Sequence, residues 1–544
     1  MTVFRKHLAL RELRDNIRDR DPIKARLVLD HFHEFSAMEQ AWVIETLAEC
    51  GDDFALPLLV TLAGRERETP LNFPELTELI LRKALDSPGL VIDHLGKNSA
   101  DRPYYAKIAG ELALQAAVPL LTEMIMAETD PALLAAAITA LAEIGDAESV
   151  RVVAEMLYAE DDGLVGCAVE ALARFATPDA MMRLAEKLGR DEATDLRIID
   201  VFAGSQDEFS LHKLNELLRS RSLIRRNYCK KKLVEIGSKC VPLLIENLSG
   251  NDSESVIDSL HILRELGDKT ARFPVRQLIN SHPRNANVRF AAYETLANLP
   301  RLKGDYVLAS GLADPVENVR ITAARAIDHN LDEVLVAGIS NMINRQDEEA
   351  RWIIKAILDG QAGRIFLALL DQEHFRSTAR AYLVHKAHPE IRDFFAGLLE
   401  RHGDHELAAG IRPGAAPDEA APRDKVCAVD DSRMILNVYR AVLNELNFAP
   451  VLFQEPKKAL AWLKEERPLL ICTDLNMPEM TGLDFIRNVR TLYSKEELPM
   501  VLVTTQDDRK DNEEAMGAGA NAVLRKPFDA ASLAAVLMQV FGDR

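Results

Sequence analysis

Through its first four hundred residues the chain interrupts its amphipathic stretches at near-regular steps, and this periodicity restricts the fold more than any other feature. The clearest interruptions are Gly51, Gly145, Gly237, Gly267 and Gly360. Weaker ones fall at Gln115, Ala176, Ser205, Pro300, Asn330 and near His388, so the steps cluster near 30 residues. Such a step holds a helix, a tight turn and a second helix. Leu134, Ile138 and Leu141 recur at helical spacing, and Val150, Val153 and Leu157 carry an apolar stripe beyond the turn. One helical pair cannot cover both of its stripes. Stacked neighbours bury them continuously, which predicts a right-handed or mildly curved solenoid with function on its concave face.

The residue palette agrees, since alanine and leucine are abundant and aromatics make up only 6%. Two units repeat a signature 31 residues apart: Val288-Arg289-Phe290-Ala291-Ala292 ending in Leu296, and Val319-Arg320-Ile321-Thr322-Ala323 ending in Ile327. These resemble HEAT repeats, in the short bacterial form also seen in phycobilisome lyase subunits. The resemblance runs over about residues 20–405, strongest from Asp130 to Gly360, and implies about twelve units. The segment Thr69-Pro70-Leu71-Asn72-Phe73-Pro74 breaks the helical pattern.

A chain of 544 residues exceeds what a single hydrophobic core supports, so further units are expected. After the array, Gly410-Ile411-Arg412-Pro413-Gly414-Ala415-Ala416-Pro417 and onward to Pro422 neither packs nor propagates a helix. The predicted organisation is a helical repeat domain over 1–405, a linker over 406–424 and a second domain over 425–544. The formal charge is −19, whereas the last 120 residues hold 15 Lys and Arg against 18 Asp and Glu, so most of the acidity lies in the array. That surface disfavours nucleic acid and anionic membrane and suits protein partners. Six cysteines without a CxxC pair, an N-terminus lacking the apolar centre of a signal peptide, and no run long enough to span a bilayer predict a cytoplasmic protein without membrane insertion.

Past the linker the pattern switches to short apolar runs alternating with amphipathic helices. The runs are Val426–Val429, Pro450–Phe453, Leu469–Thr473, Met500–Val503 and Val523–Leu524; helices are expected over about Ser432–Leu446, Glu455–Lys464, Leu483–Arg490 and Ala531–Phe541. Five βα units of this kind predict a doubly wound parallel sheet, which binds ligands at the carboxyl ends of its strands. The reactive residues fall there: Asp430 and Asp431 after the first run, Asp474 after the third, Thr504 after the fourth and Lys526 after the fifth, before Pro527. Three converging carboxylates repel one another unless a cation joins them, and hard oxygen donors suit Mg²⁺. Asp474 then serves as a carboxylate nucleophile toward a phosphoryl group, Lys526 offsets charge on the transferring oxygens, and the Thr504 hydroxyl donates to one of them.

Val429-Asp430-Asp431-Ser432, Thr473-Asp474-Leu475-Asn476-Met477-Pro478-Glu479-Met480-Thr481-Gly482 and Arg525-Lys526-Pro527-Phe528 together resemble response-regulator receiver domains of the flavodoxin-like class. The resemblance spans residues 425–544. It implies Asp474 as phosphoacceptor, Asp431 and Asp474 as direct Mg²⁺ ligands with the backbone carbonyl of Asn476, Asp430 acting through water, and a cis peptide before Pro527. It also implies a histidine kinase or phosphotransfer protein as partner. Val523 stands where the family usually carries Tyr or Phe, and Thr505 where a small residue is usual, so the familiar aromatic switch is absent.

The run Arg219 to Lys232 carries seven cations and no acid; a nucleic-acid site and a helix face turned to the chain's own acidic surface are the two readings. His31, His33 and Glu34 have metal-like character without a second cluster, and His402 with His405 has less. The leading expectation is a non-enzymatic response regulator whose output is protein binding by the array, with no organic cofactor. Docking of the receiver on the array and homodimerisation are both compatible with it. The alternatives are a repeat-domain enzyme, lyase-like or DNA-repair-like, and a nucleic-acid-binding regulator working through the region of Arg225 and Arg226.

Overall fold

The computed structural model describes residues 3–65, 74–97, 99–300, 306–412, 423–477, 480–504, 509–526 and 528–542. Two compact units result, Met1–Lys213 and Leu214–Arg544. Among the described residues no helix is long and apolar enough to cross a membrane.

Among the described residues the regular structure of the first unit is all helical, and its helices Arg102–Glu111, Pro131–Ile144 and Asp162–Phe175 pack one on the next. The expected stripe of Leu134, Ile138 and Leu141 is buried, as are Val150, Val153 and Leu157 on the far side of the turn. Of the interrupting segment 69–74, only Pro74 lies within the described residues, and it opens the helix Pro74–Asp86.

The period has a local cause at each end of the helix. Asp130, Asp161, Asp191, Ser222 and Asp252 each accept a backbone N–H of the first turn, which satisfies a donor the helix leaves unpaired. Fifteen residues after each cap stands a residue of positive φ, namely Gly145, Ala176, Gln206, Gly237 and Gly267. A residue of positive φ thus stops each of these five helices at one length. The expected break at Ser205 is realised one residue later, at Gln206. At Ala176, with φ 49° and ψ 24°, a Cβ crowds the carbonyl in a way glycine avoids. Ala176→Gly is therefore expected to stabilise the first unit by about 1 kcal/mol, read as a higher urea midpoint at unchanged slope.

In the second unit, helices α1 (Leu223–Ile236), α2 (Ser253–Leu266), α3 (Ala286–Asn298) and α4 (Glu317–Asn330) follow one another in packing order. Fully buried Arg272 donates to the carbonyls of Leu296 and Leu299 and to Asn330 Oδ1, tying the ends of α3 and α4 to the helix it begins. Much of the basic run forms α1, where Arg226 pairs with Glu254 at 3.3 Å and Lys230 with Asp258 at 3.0 Å. Both partners lie on α2, so these two cations are held by the chain's own acids.

The expected linker begins too early. Residues His405–Ile411 form a helix capped by Asp404, with Leu407, Ala408 and Ile411 buried, so the array continues through them. The small residues Ala408, Ala409 and Gly410 conceal a stripe carried by only two larger apolar side chains. Of the linker, 413–422 lie outside the described residues.

The C-terminal sheet is five-stranded and parallel, in the order β2-β1-β3-β4-β5, from strands β1 (Lys425–Val429), β2 (Ala449–Phe453), β3 (Leu470–Asp474), β4 (Met500–Thr504) and β5 (Ala522–Arg525). Alternate residues face opposite layers. Cys427, Val429, Ile471 and Leu502 enter one core with Phe485 and Ile486, while Val426, Ala428, Cys472 and Val503 enter the other with Tyr439 and Leu443. Helix α5 (Arg433–Glu445) and helix α6 (Ala530–Phe541) belong to the second layer. The helix Arg509–Ala518 was not apparent from the apolar pattern, because its charged first half and Gly517 leave hardly any stripe to read. The expected division at 405–425 does not coincide with the boundary between compact units, because the receiver-like domain packs on the second half of the array.

Candidate phosphoacceptor site

Strand register assembles the site. Val429 pairs with Thr473, Asp474 with Val503, and Thr504 with Arg525, so Asp430, Asp474, Thr504 and Lys526 reach the same carboxyl edge. Asp474 is the last residue of β3 itself, since the strand runs one residue beyond the apolar run that ends at Thr473.

Lys526 is the electrostatic centre. Its Nζ lies 2.6 Å from Asp430 Oδ2 and 2.7 Å from Asp474 Oδ1, with all three side chains nearly sealed from solvent. Its backbone N–H donates to the Thr504 carbonyl, which joins the ends of β4 and β5. Asp430 also accepts the N–H of Ser432, and Asp474 Oδ2 accepts the N–H of Asn476. Burial lifts the Asp430 carboxyl well above its ordinary range despite Lys526, and burial lifts Asp431 to about 6 despite Arg264. Burial opposes the Lys526 ammonium, yet Asp430 and Asp474 outweigh it and hold its pKa above the usual value.

Three carboxylates meet at this edge, and burial, with their mutual repulsion added, keeps Asp430 and Asp431 raised even beside the protein's own cations. Asn476 Oδ1 is a buried oxygen without a hydrogen-bond partner. Hard oxygen donors of this kind fit Mg²⁺ in type. In the arrangement seen, however, no three His, Cys, Asp or Glu side chains among the described residues are gathered closely enough to hold an ion. Two protein cations stand there instead: Lys526, and Arg264 of α2, whose Nη2 lies 3.4 Å from Asp431 Oδ2.

Arg264 was not apparent from the sequence, nor were its companions. Its Nη1 lies 2.7 Å from Glu294 Oε1 on α3, and the same oxygen accepts the Ser432 hydroxyl at 2.5 Å. Asn287 donates to the Lys526 carbonyl at 2.6 Å and Asn318 to the Phe528 carbonyl at 2.8 Å. Phe290 packs on the receiver core, and Arg440 of α5 pairs with Glu390. Between array and acceptor edge lies a cavity of about 610 Å³, walled by Ile257, His261, Phe290, Met477 and Met480. The only sequence signal was acid and cation within otherwise apolar helical faces, and it carries no long-range address.

Thr504 is buried at the end of β4. Val523 is half-buried against the core. Pro527 with its expected cis peptide, Thr505 and the loop to Asp508 lie outside the described residues. His31 pairs its Nδ1 with Glu34 at 3.1 Å, and neither that group nor His402 with His405 builds a metal cluster among the described residues.

A five-stranded parallel sheet in this order, with an acid pair, a strand-end aspartate and a lysine on one edge, defines a receiver domain. The response regulator receiver domain family matches residues 426–538, and HEAT repeats match 97–173 and 118–203. Over 121 residues the chain is 34% identical to the chemotaxis protein CheY homolog of Campylobacter jejuni, covering 22% of this chain and 92% of that protein. The aerobic respiration control sensor protein ArcB of Escherichia coli is 32% identical over 120 residues, and the chain spans only 15% of its length. Among solved structures, the receiver domain of a sensor histidine kinase from Pseudomonas aeruginosa, with a magnesium ion coordinated in its active site cleft, is 25% identical and covers 22% of this chain and 99% of that one at a TM-score of 0.21. The chain belongs to the response regulator receiver family, through a C-terminal receiver domain that follows HEAT repeats.

Proposed function

We propose that the chain is a response regulator in which Asp474 takes a phosphoryl group from a histidine kinase or phosphotransfer protein, and the modified receiver changes what the HEAT-like array binds. The carrying observation is the Lys526 ammonium held between Asp430 and Asp474 at 2.6 and 2.7 Å. A carboxylate oxygen of Asp474 attacks phosphorus, the P–N bond to the donor imidazole breaks, and the imidazole leaves with the electron pair and takes a proton. Lys526 stands beside the acceptor to offset charge on the transferring oxygens, and Thr504, at the end of the neighbouring strand, donates its hydroxyl to one of them. Asp430, Asp431, Asp474 and the Asn476 backbone carbonyl would hold Mg²⁺, which supplies further positive charge for the transfer when bound.

On this reading residues 1–405, extended by the His405–Ile411 helix, form the output array, and 425–544 form the receiver. A reducing, cytoplasmic setting accords with six cysteines that are all unpaired. The array's output is protein binding rather than catalysis. Incubation with a small acyl phosphate and Mg²⁺ is expected to add one phosphoryl mass to the full chain. Asp474→Asn is expected to abolish that addition, and retention of the label by this variant sinks the assignment.

A further inference from the structure

We infer that docking of the array on the receiver and binding of a divalent cation at the acceptor edge exclude one another, with Arg264 supplying in the docked chain the positive charge that the ion supplies in the open one. The inference rests on the proposed function, since it concerns the same site. It does not follow from the receiver alone, because Arg264, Glu294, Asn287 and Asn318 all belong to the array.

The contacts are specific to the parts of the receiver that a metal and a phosphoryl group engage. Arg264 is half-buried and reaches Asp431, the carboxylate expected to bind the ion directly. Glu294 fixes the other side of Arg264 at 2.7 Å and holds Ser432, the residue that caps α5. Asn287 and Asn318 hold the carbonyls on either side of residue 527, in the segment that carries Lys526. Three successive helices, α2, α3 and α4, thus clamp both loops of the acid pair and the lysine. No three carboxylates among the described residues lie at ligand spacing in this state. A dication entering beside Asp431 meets a guanidinium already paired there, and like charges at that range repel strongly at a buried site. Expelling Arg264 leaves Glu294 buried without its cation, so the ion and the docked array oppose each other from both sides. Linkage then requires that the ion weaken docking by the factor by which docking weakens the ion, and that whatever lowers the docked population raise the apparent affinity for the ion.

The test separates charge from docking. Mg²⁺ affinity is measured by calorimetry on the full chain, on Arg264→Ala, and on the double variant Asn287→Ala/Asn318→Ala, which changes no charge and touches no carboxylate. Thermal unfolding confirms that each variant is folded, and X-ray scattering with and without Mg²⁺ and beryllofluoride reports whether the receiver leaves the array. The double variant is expected to bind Mg²⁺ about tenfold more tightly, the change that full release of a docked population of about nine in ten would give, and Mg²⁺ with beryllofluoride is expected to expand the native chain. If Arg264→Ala tightens binding while the asparagine variant does not, Arg264 acts through charge alone and the exclusion is overturned. Compaction unchanged by Mg²⁺ and beryllofluoride, in a chain that binds them, overturns it as well. A chain in which every variant fails to bind Mg²⁺ refutes the proposed function rather than the docking relation alone.

Discussion

Replacing Lys526 with methionine is expected to cost the second unit about 3–5 kcal/mol of stability at neutral pH, because the change strands two buried carboxylates while keeping the side chain's bulk. Asp430 and Asp474 share that ammonium at 2.6 and 2.7 Å, and Asp430 is fully buried. Burial already holds the Asp430 carboxyl far above its ordinary value with the cation present. Without Lys526 it moves higher still. A carboxyl whose folded pKa exceeds its unfolded one keeps its proton longer in the folded protein, so the stability it contributes is complete below the unfolded value near 3.8. That contribution is lost as pH rises through the folded value. The Lys526→Met deficit should therefore be small near pH 4 and grow steadily toward pH 8, as followed by urea unfolding of both chains across that range. A deficit of constant size would mean that Lys526 acts by packing and not by neutralising the acid pair. Phosphorylation should also fall by about a hundredfold or more, the scale on which removal of a preorganised charge partner acts.

The site was legible where chemistry is written at strand ends and illegible where it arrives from elsewhere in the chain. Short apolar runs fixed β1, β3 and β4, and parallel register then carried Asp430, Asp474, Thr504 and Lys526 to one edge without further information. The helix Arg509–Ala518 escaped because its first half is charged, Gly517 interrupts the second, and Ala515 is the one buried hydrophobic residue among its described side chains. The array's period was visible in its breaks, yet the regular caps Asp130, Asp161, Asp191, Ser222 and Asp252 were the sharper signal, since they start each helix at the same register as its stop. Arg264, Asn287, Glu294 and Asn318 were unreadable for a different reason. Their functional neighbours lie more than a hundred residues away, and a polar residue on a helix does not announce which distant surface it meets.

Gly482→Ala is expected to be the most damaging single-methyl change in the receiver. The chain leaves β3 at Asp474, loops through Asn476 and Met477, and returns so closely that the Gly482 N–H donates to the Leu475 carbonyl at 2.8 Å. A Cβ at 482 would sit 2.1 Å from the Asp474 carbonyl oxygen and 2.9 Å from Leu475 Cα. Both neighbours are backbone, so no side-chain rotation relieves the overlap. Either the helix Gly482–Arg490, capped by Thr481, shifts outward or the end of β3 bends. The first option opens the core around Leu483, Phe485 and Ile486, and the second displaces the Asp474 carboxylate from Lys526. Overpacking of this severity costs about 3 kcal/mol, and a shift of about 1 Å at the acceptor lowers phosphoryl transfer by about a hundredfold. Gly517→Ala is the matched control, because a Cβ there meets nothing within 4 Å and the residue lies in the helix Arg509–Ala518. It should stabilise by about 0.5–1 kcal/mol and leave labelling of Asp474 unchanged. Equal behaviour of the two variants in urea unfolding and in phosphoryl uptake would show that the loop after β3 yields freely, and that its close return does not hold the acceptor in place.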